Sequence, residues 1–269
     1  MMKCQIIMDA LERIAPKRLA EDWDNPGLLV GSFSADIERI LVALDVTDAV
    51  VEQAIVQNAN MIIAHHPLIF KGIKKLRTDL PLGKRIALLI KNDITVAAAH
   101  TNLDIAVGGV NDVLAKAIGL NKLSTFVITS QNDDGEINSL GRFGTLPRPI
   151  TVHDFADMVK NALPTDYVRL VNAGNRAVRK VAICSGSGAE FIQKAAFIGA
   201  DAYVTGDVKY HDAQAAVELG MHVIDAGHFA TEFPVVEVLA ERLREELVTA
   251  KGNVDIITDS SSQDFFEVI

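Results

Sequence analysis

Cysteine is scarce: Cys4 and Cys184 are the only two in 269 residues. Two thiols exclude a disulfide scaffold and a zinc site built on cysteine, and they suit a reducing compartment in which both are inert. Long apolar runs are missing as well. No stretch approaches the roughly 18 consecutive apolar residues of a membrane-spanning helix. The opening MMKCQIIMDALERIAP, interrupted at Asp9, reads as an amphipathic helix rather than a signal peptide. The expected location is the cytoplasm, with no membrane partner. An excess of positive charge is equally absent. Lys+Arg number 26 against 35 Asp+Glu, a formal charge of -9, whereas coating nucleic acid needs a concentrated positive surface. A small anionic ligand at one local site is still compatible with that balance. Several catalytic signatures are also lacking: there is no G-x-S-x-G elbow, no H-E-x-x-H helix, no P-loop lysine and no G-x-G-x-x-G fingerprint of a dinucleotide-binding protein.

What is present is an ordinary globular composition, 49% hydrophobic and 23% charged, in a length that suits one large or two modest domains. Helical spacing of Ile6, Ile7, Leu11 and Ile14 predicts a first helix that Pro16 ends. Apolar, β-branched runs at Arg39–Val46, Met61–Ala64, Ile94–Ala99, Lys180–Cys184, Ala202–Val204 and His222–Asp225 read as buried strands. Helices are expected between them: from Thr47 as N-cap to about Asn58, then at Lys84–Lys91, Val110–Ile118 and Val152–Leu163, with a long one at Thr231–Val248. This alternation predicts an α/β fold with mixed, largely parallel sheets. The polar stretch Ser130–Ser139 is the expected linker, dividing the chain into lobes 1–129 and 130–269.

The two halves resemble each other. Val42–His66 and Val181–Asp207 both read strand, turn, helix, polar-Ala-polar junction, strand and polar pair, with Asn58-Ala59-Asn60 opposite Gly199-Ala200-Asp201. Each half then reaches an H-x-x-x-acid motif, His100 to Asp104 and His228 to Glu232. Two related lobes about a pseudo-twofold axis would bring equivalent strand ends to one crevice, where open α/β sheets bind ligands.

His65, His66, Asp104, His228 and Glu232 all follow apolar strands. Imidazole and carboxylate suit a borderline divalent metal: zinc, iron, manganese, nickel or cobalt. Adjacent histidines of an extended segment point to opposite sides, so a pair of metals, one per histidine with Asp104 or Glu232 bridging, uses both naturally. His100 is either a further ligand, a catalytic group or a residue supporting the ligands. In TGDVKYHD, Asp207, Lys209 and His211 alternate as on one face of an extended segment. Asp207 would orient a ligand histidine and Lys209 would meet an anion; the competing reading is a solvated loop with Asp212 at a helix start. SGSG, Ser185–Gly188, is a weak candidate for anion binding at a helix start. Cys184 reads as a buried core residue.

At WDNPGLLVG, AHHPLIF, HTNLD, TGDVKYHDA and DAGHFATE the chain resembles the GTP cyclohydrolase I type 2 family, also called the NGG-one-interacting-factor-three-like family. The resemblance spans essentially the whole chain. It implies two α/β lobes with a dinuclear metal centre in the crevice between them, held by His65, His66, Asp104, His228 and Glu232, in a toroidal homohexamer. Some relatives carry a ferredoxin-like domain between the halves; Leu120–Arg179 is too short for one, so the compact form is expected, with a few strands and a helix completing the second lobe. The family name implies hydrolysis of GTP at C8 of the guanine ring by metal-activated water, with formate released and with His100 or Glu232 handling protons. Its other name points to an alternative, a non-enzymatic metal-binding ring that meets regulatory proteins or handles metal.

Overall fold

The computed structural model describes residues 1–131, 135 and 137–269. They form two compact units: 1–106 with 235–263, and 107–234 with 264–269.

Unit 1 begins with β1 (Met2–Lys3) and α1 (Cys4–Ile14), followed by β2 (Gly27–Val30), β3 (Asp36–Ile37), β4 (Arg39–Ala43), α2 (Asp48–Val56), β5 (Met61–Ala64), α3 (Pro81–Lys91), β6 (Thr95–Ala98) and the short α4 (Thr101–Ile105). Unit 2 contributes α5 (Val110–Ala117), β7 (Asn121–Gln131), β8 (Ile137–Ile150), α6 (Val152–Ala162), β9 (Arg169–Val171), β10 (Val178–Ser187), α7 (Ile192–Phe197), β11 (Ala202–Gly206), α8 (Tyr210–Glu218), β12 (His222–Asp225) and α9 (His228–Glu232). The chain then returns to unit 1 as α10 (Val235–Leu247) and β13 (Asp255–Thr258).

The sheet of unit 1 runs β13-β4-β5-β6-β2, with β2 antiparallel to β6 and the other neighbours parallel. Its central strands read RILVA, MIIA and TVAA and are buried almost throughout, as strands covered on both faces require. Val50, Val51 and Ala54 of α2 and Leu89 of α3 pack into the core they form. Thr47 caps α2 by accepting the Val50 N–H at 3.2 Å. Cys4 is buried at the start of α1, and loss of solvation raises its thiol pKa to about 11, which keeps it neutral and unreactive.

The sheet of unit 2 runs β7-β8-β10-β11-β12-β9. β10, β11 and β12 are parallel, while β8 and β9 flank them antiparallel and β7 extends the edge. Cys184 lies in the core with Tyr203 and Val223.

The repeat in the sequence corresponds to a repeated β-α-β-α-β topology, and its shared residues have shared work. Asn58 and Gly199 both take left-handed backbone (φ 55 and 72) just past a helix. The next N–H then bonds back five residues, Ala59 to Ala54 at 2.8 Å and Ala200 to Ala195 at 3.1 Å. One residue on, Asn60 Oδ1 accepts the backbone N–H groups of Glu38 and Arg39, and Asp201 Oδ2 accepts those of Arg179 and Lys180. An amide or acid at that junction clamps the start of the neighbouring strand in both units.

Three expectations need correction. The described ends of the expected linker Ser130–Ser139 lie within unit 2, where Gln131 pairs with Ile137 in the β7–β8 ladder; residues 132–134 and 136 lie outside the described residues. The compact units divide after Ala106 rather than at 129/130. The expected helix Thr231–Val248 is two helices, because Pro234, which has no N–H to continue the helical hydrogen bonds, separates α9 from α10. Leu120–Arg179 folds as β7, β8, α6 and β9, which complete the second unit.

Candidate metal centre

The ladder of β5 ends at Ala64, and both following residues stand in a bend. His65 and His66 still donate backbone N–H groups to Ala43 (3.1 Å) and Leu44 (2.8 Å), but the alternation of an extended strand is gone. Their rings therefore converge, with centroids 4.9 Å apart, instead of pointing to opposite sides as the sequence suggests. His100, just past β6, joins them at 5.3 and 5.6 Å. One ring nitrogen from each of the three lies within 4.8 Å of the others. Asp104 sits one helical turn on, in α4, with Oδ1 3.6 Å from His65 Nε2. His65 is fully buried and Asp104 nearly so.

Each histidine of this group is held by Nδ1. His65 Nδ1 donates to the Ala99 carbonyl at 2.9 Å, His66 Nδ1 to Asp45 at 2.9 Å, and His100 Nδ1 to Asp24 at 2.8 Å. A carbonyl or an ionised carboxylate only accepts, so in the neutral ring the proton resides on Nδ1 and Nε2 keeps its lone pair. For Asp24 the ionised state is secure. Burial alone would raise its pKa, but hydrogen bonds from His100 and Thr101 outweigh that and bring it to about 2.

Unit 2 builds a matching group. Gly227 leads from β12 into α9, whose i, i+4 spacing sets His228 Nε2 3.1 Å from Glu232 Oε2. His228 Nδ1 donates to Asp207 at 2.9 Å, so it too presents a basic Nε2. Asp207 follows β11 in left-handed backbone (φ 56). Gly186 passes so close that a Cβ there would stand 2.1 Å from Glu232 Oε1 and 3.2 Å from His228 Nε2. Its N–H donates to Thr231 Oγ1 at 3.0 Å, which ties β10 to α9.

One further expectation changes here and one is refined. The Ser185–Gly188 segment does lead into a helix: Ser185–Ser187 end β10, Gly188 is the N-cap of a 3-10 turn at Ala189–Phe191 that runs into α7, and Gly186 makes the close approach to Glu232. Lys209 and His211 do not share an extended face with Asp207, because Lys209 is the N-cap of α8 and His211 lies within it, beside Gln214 at 3.4 Å. Asp212 accepts the Lys209 N–H at 3.0 Å, as a helix-start acid does. Sequence reading passed over Asp24 and Asp45. Asp24 stood within the quoted WDNPG motif and Asp45 directly past a buried strand, the position from which a carboxylate reaches a strand-end histidine.

The donor set fits divalent metal. Histidine ligands whose Nδ1–H is held by carboxylate or carbonyl are the usual support of a metal site, and hard carboxylates complete a nitrogen–oxygen set for zinc, iron, manganese, nickel or cobalt.

A family model described as Duf34/NIF3 (NGG1p interacting factor 3) matches residues 2–264. A "GTP cyclohydrolase 1 type 2 homolog" from Clostridium perfringens is 37% identical over 268 residues, covering 100% of both chains. Among solved structures, a Bacillus cereus protein related to NIF3 superposes with a TM-score of 0.94 at 30% identity, covering 100% of this chain and 99% of the other. A hypothetical protein from Staphylococcus aureus does so with a TM-score of 0.91 at 33% identity, with the same coverage.

Proposed function

The chain belongs to the Duf34/NIF3 family, and from that premise we propose that it is a dinuclear-metal-dependent hydrolase that opens the imidazole ring of a purine nucleotide. In this reading the groups of the two units act together. His65, His66, Asp104, His228 and Glu232 would hold two divalent ions. The observation that carries it is the common anchoring of four strand-end histidines through Nδ1, which leaves each Nε2 basic. The name of the Clostridium perfringens relative, a GTP cyclohydrolase 1 type 2 homolog, supports a GTP-like substrate. When bound, the ions would supply Lewis acidity and water activated near neutral pH.

The remaining work falls to the chain. His100 is the proton carrier: its Nε2 takes a proton as water adds at C8, and the Asp24 carboxylate steadies the imidazolium that results. Passing that proton to N7 completes addition across the C8–N7 double bond; loss of the hydroxyl proton to N9 as the C8–N9 bond breaks then opens the ring to an N7-formamide, which a second water hydrolyses to release C8 as formate. Glu232, held 3.1 Å from His228, is the alternative proton carrier. Asp207 and Asp45 fix the orientation of His228 and His66. Lys209 and His211, at the exposed start of α8, are left as candidates for contact with the anionic part of the substrate. The proposed assembly is a homohexamer in the cytoplasm, and sedimentation tests its stoichiometry.

Elemental analysis of purified protein together with formate release from GTP tests the proposal. The expected result is two ions per chain and turnover that Asp104→Ala abolishes while the fold persists. Metal-loaded protein without turnover on GTP or other purine nucleotides would overturn it in favour of a metal-handling or partner-binding ring.

A further inference from the structure

Trp23 is the chain's one tryptophan, and it is 58% exposed. Phe70, from the segment after the histidine pair, is 42% exposed. Large aromatic faces in water are unfavourable, and here two are held side by side, with ring centroids 5.8 Å apart at 61°. Their placement is built: Asn25, two residues past Trp23, donates its Nδ2 proton to the carbonyl of Ile69, the residue before Phe70, at 2.6 Å. Beside Trp23, the Asp24 carboxylate accepts from His100 and from the Thr101 backbone N–H. Both rings also meet the His100 imidazole edge-on, Trp23 at 6.2 Å and Phe70 at 6.1 Å. The two faces thus adjoin the group assigned to proton transfer. Directly after Phe70 the chain reads KGIKKLR, with Lys71, Lys74 and Lys75 exposed, a local positive run in a protein of formal charge -9.

We infer that Trp23 and Phe70 form a stacking platform for a planar heteroaromatic ring that carries phosphates, of which a purine nucleotide is the form the proposed reaction requires. The base would lie against the indole with its edge toward Phe70 and its reacting side toward His100, and the phosphates would extend toward Lys71, Lys74 and Lys75. An aromatic face is tolerant of base identity and contributes most of its affinity by stacking, while phosphate contacts by lysine are salt-dependent. This deepens the hydrolase reading and rests on it for the choice of nucleotide, but binding is measurable without turnover.

Because Trp23 is the sole indole, fluorescence excited at the red edge of aromatic absorption reports on this platform alone. Titrating the metal-loaded protein with GTP should quench that emission saturably. Guanosine should quench it with weaker affinity, and tripolyphosphate, which has no ring, should leave it unchanged. Calorimetry should show Kd for GTP rising about tenfold in Trp23→Ala and in Phe70→Ala, with Trp23→Phe retaining most of the affinity and all three variants melting like the parent. Unquenched emission at GTP concentrations that saturate turnover, with Kd unchanged in Trp23→Ala, would overturn the platform and leave the hydrolase reading standing. Quenching and ring-dependent Kd values without formate release would sustain the platform and remove the hydrolase reading. Absence of GTP binding by either method would overturn both.

Discussion

His100 donates its Nδ1 proton to Asp24 across 2.8 Å, although 76 residues separate them in the chain. The same carboxylate accepts the backbone N–H of Thr101 at 3.0 Å and its hydroxyl, and the backbone N–H of Asn25 at 2.7 Å, so Asp24 is saturated by its own neighbour and the first residues of the HTNLD motif. Asp24→Asn keeps the shape but removes the charge and allows the amide to reverse the tautomer of His100. Turnover should fall by roughly 10- to 100-fold, the range for a carboxylate that orients a site histidine. Steady-state formate release measures it, and metal content should remain at the parental value, since His100 is not among the proposed ligands.

Asp24 also makes stability depend on acid. Its folded pKa is about 2 against an ordinary 3.8, so the unfolded chain takes up a proton before the native one does. The stabilisation, about 2 kcal/mol for that difference with the side chain buried, is fully present above pH 4 and is lost as pH falls toward 2. Urea unfolding at neutral pH and at successive values below pH 4 should show this decline in the parent. Asp24→Asn should flatten that part of the curve; an unchanged slope would remove Asp24 as its source.

Gly186 offers a sharper test of the second histidine–carboxylate group. A methyl group at this position collides with Glu232 Oε1 at 2.1 Å, and the backbone there (φ 60) strains any other residue. Gly186→Ala should therefore cost about 1–3 kcal/mol in unfolding free energy and displace the carboxylate from His228. Metal bound per chain should drop while circular dichroism retains the α/β signature. Gly220, at nearly the same left-handed φ (63) but with open space around it, serves as the control that separates backbone strain from the collision.

The contrast between legible and illegible features follows the range of the forces involved. Buried strands such as MIIA and capped helices such as the one begun by Thr47 are set by neighbours in sequence, and their positions could be read directly. The repeat was legible because Asn60 and Asp201 perform the same local clamp. Pro234 was a local signal too, but the apolar periodicity across it hid the break between α9 and α10. Convergence of His65 and His66 was not legible, since it depends on a bend after the ladder ends rather than on strand alternation. Asp24 and Asp45 act on histidines 76 and 21 residues away, and no spacing rule joins such pairs.

Asp45 and Asp207 provide the last test, because each supports one histidine that the proposal makes a ligand. Asp45 accepts from His66 Nδ1 and Asp207 from His228 Nδ1, both at 2.9 Å. Replacing either by Asn leaves the first contact atoms in place but weakens the anchor and lowers the basicity of Nε2. Metal affinity should fall by about 10- to 100-fold in each variant, read by competition with a chromogenic chelator. Asp48→Asn, which removes an exposed carboxylate paired with Arg85 at 2.7 Å, should leave it unchanged. If the two histidines serve one dinuclear centre, the double variant Asp45→Asn/Asp207→Asn should lose both ions over one narrow chelator range. Independent loss of one ion in each single variant, with the other retained at parental affinity, would instead separate the centre into two unrelated sites.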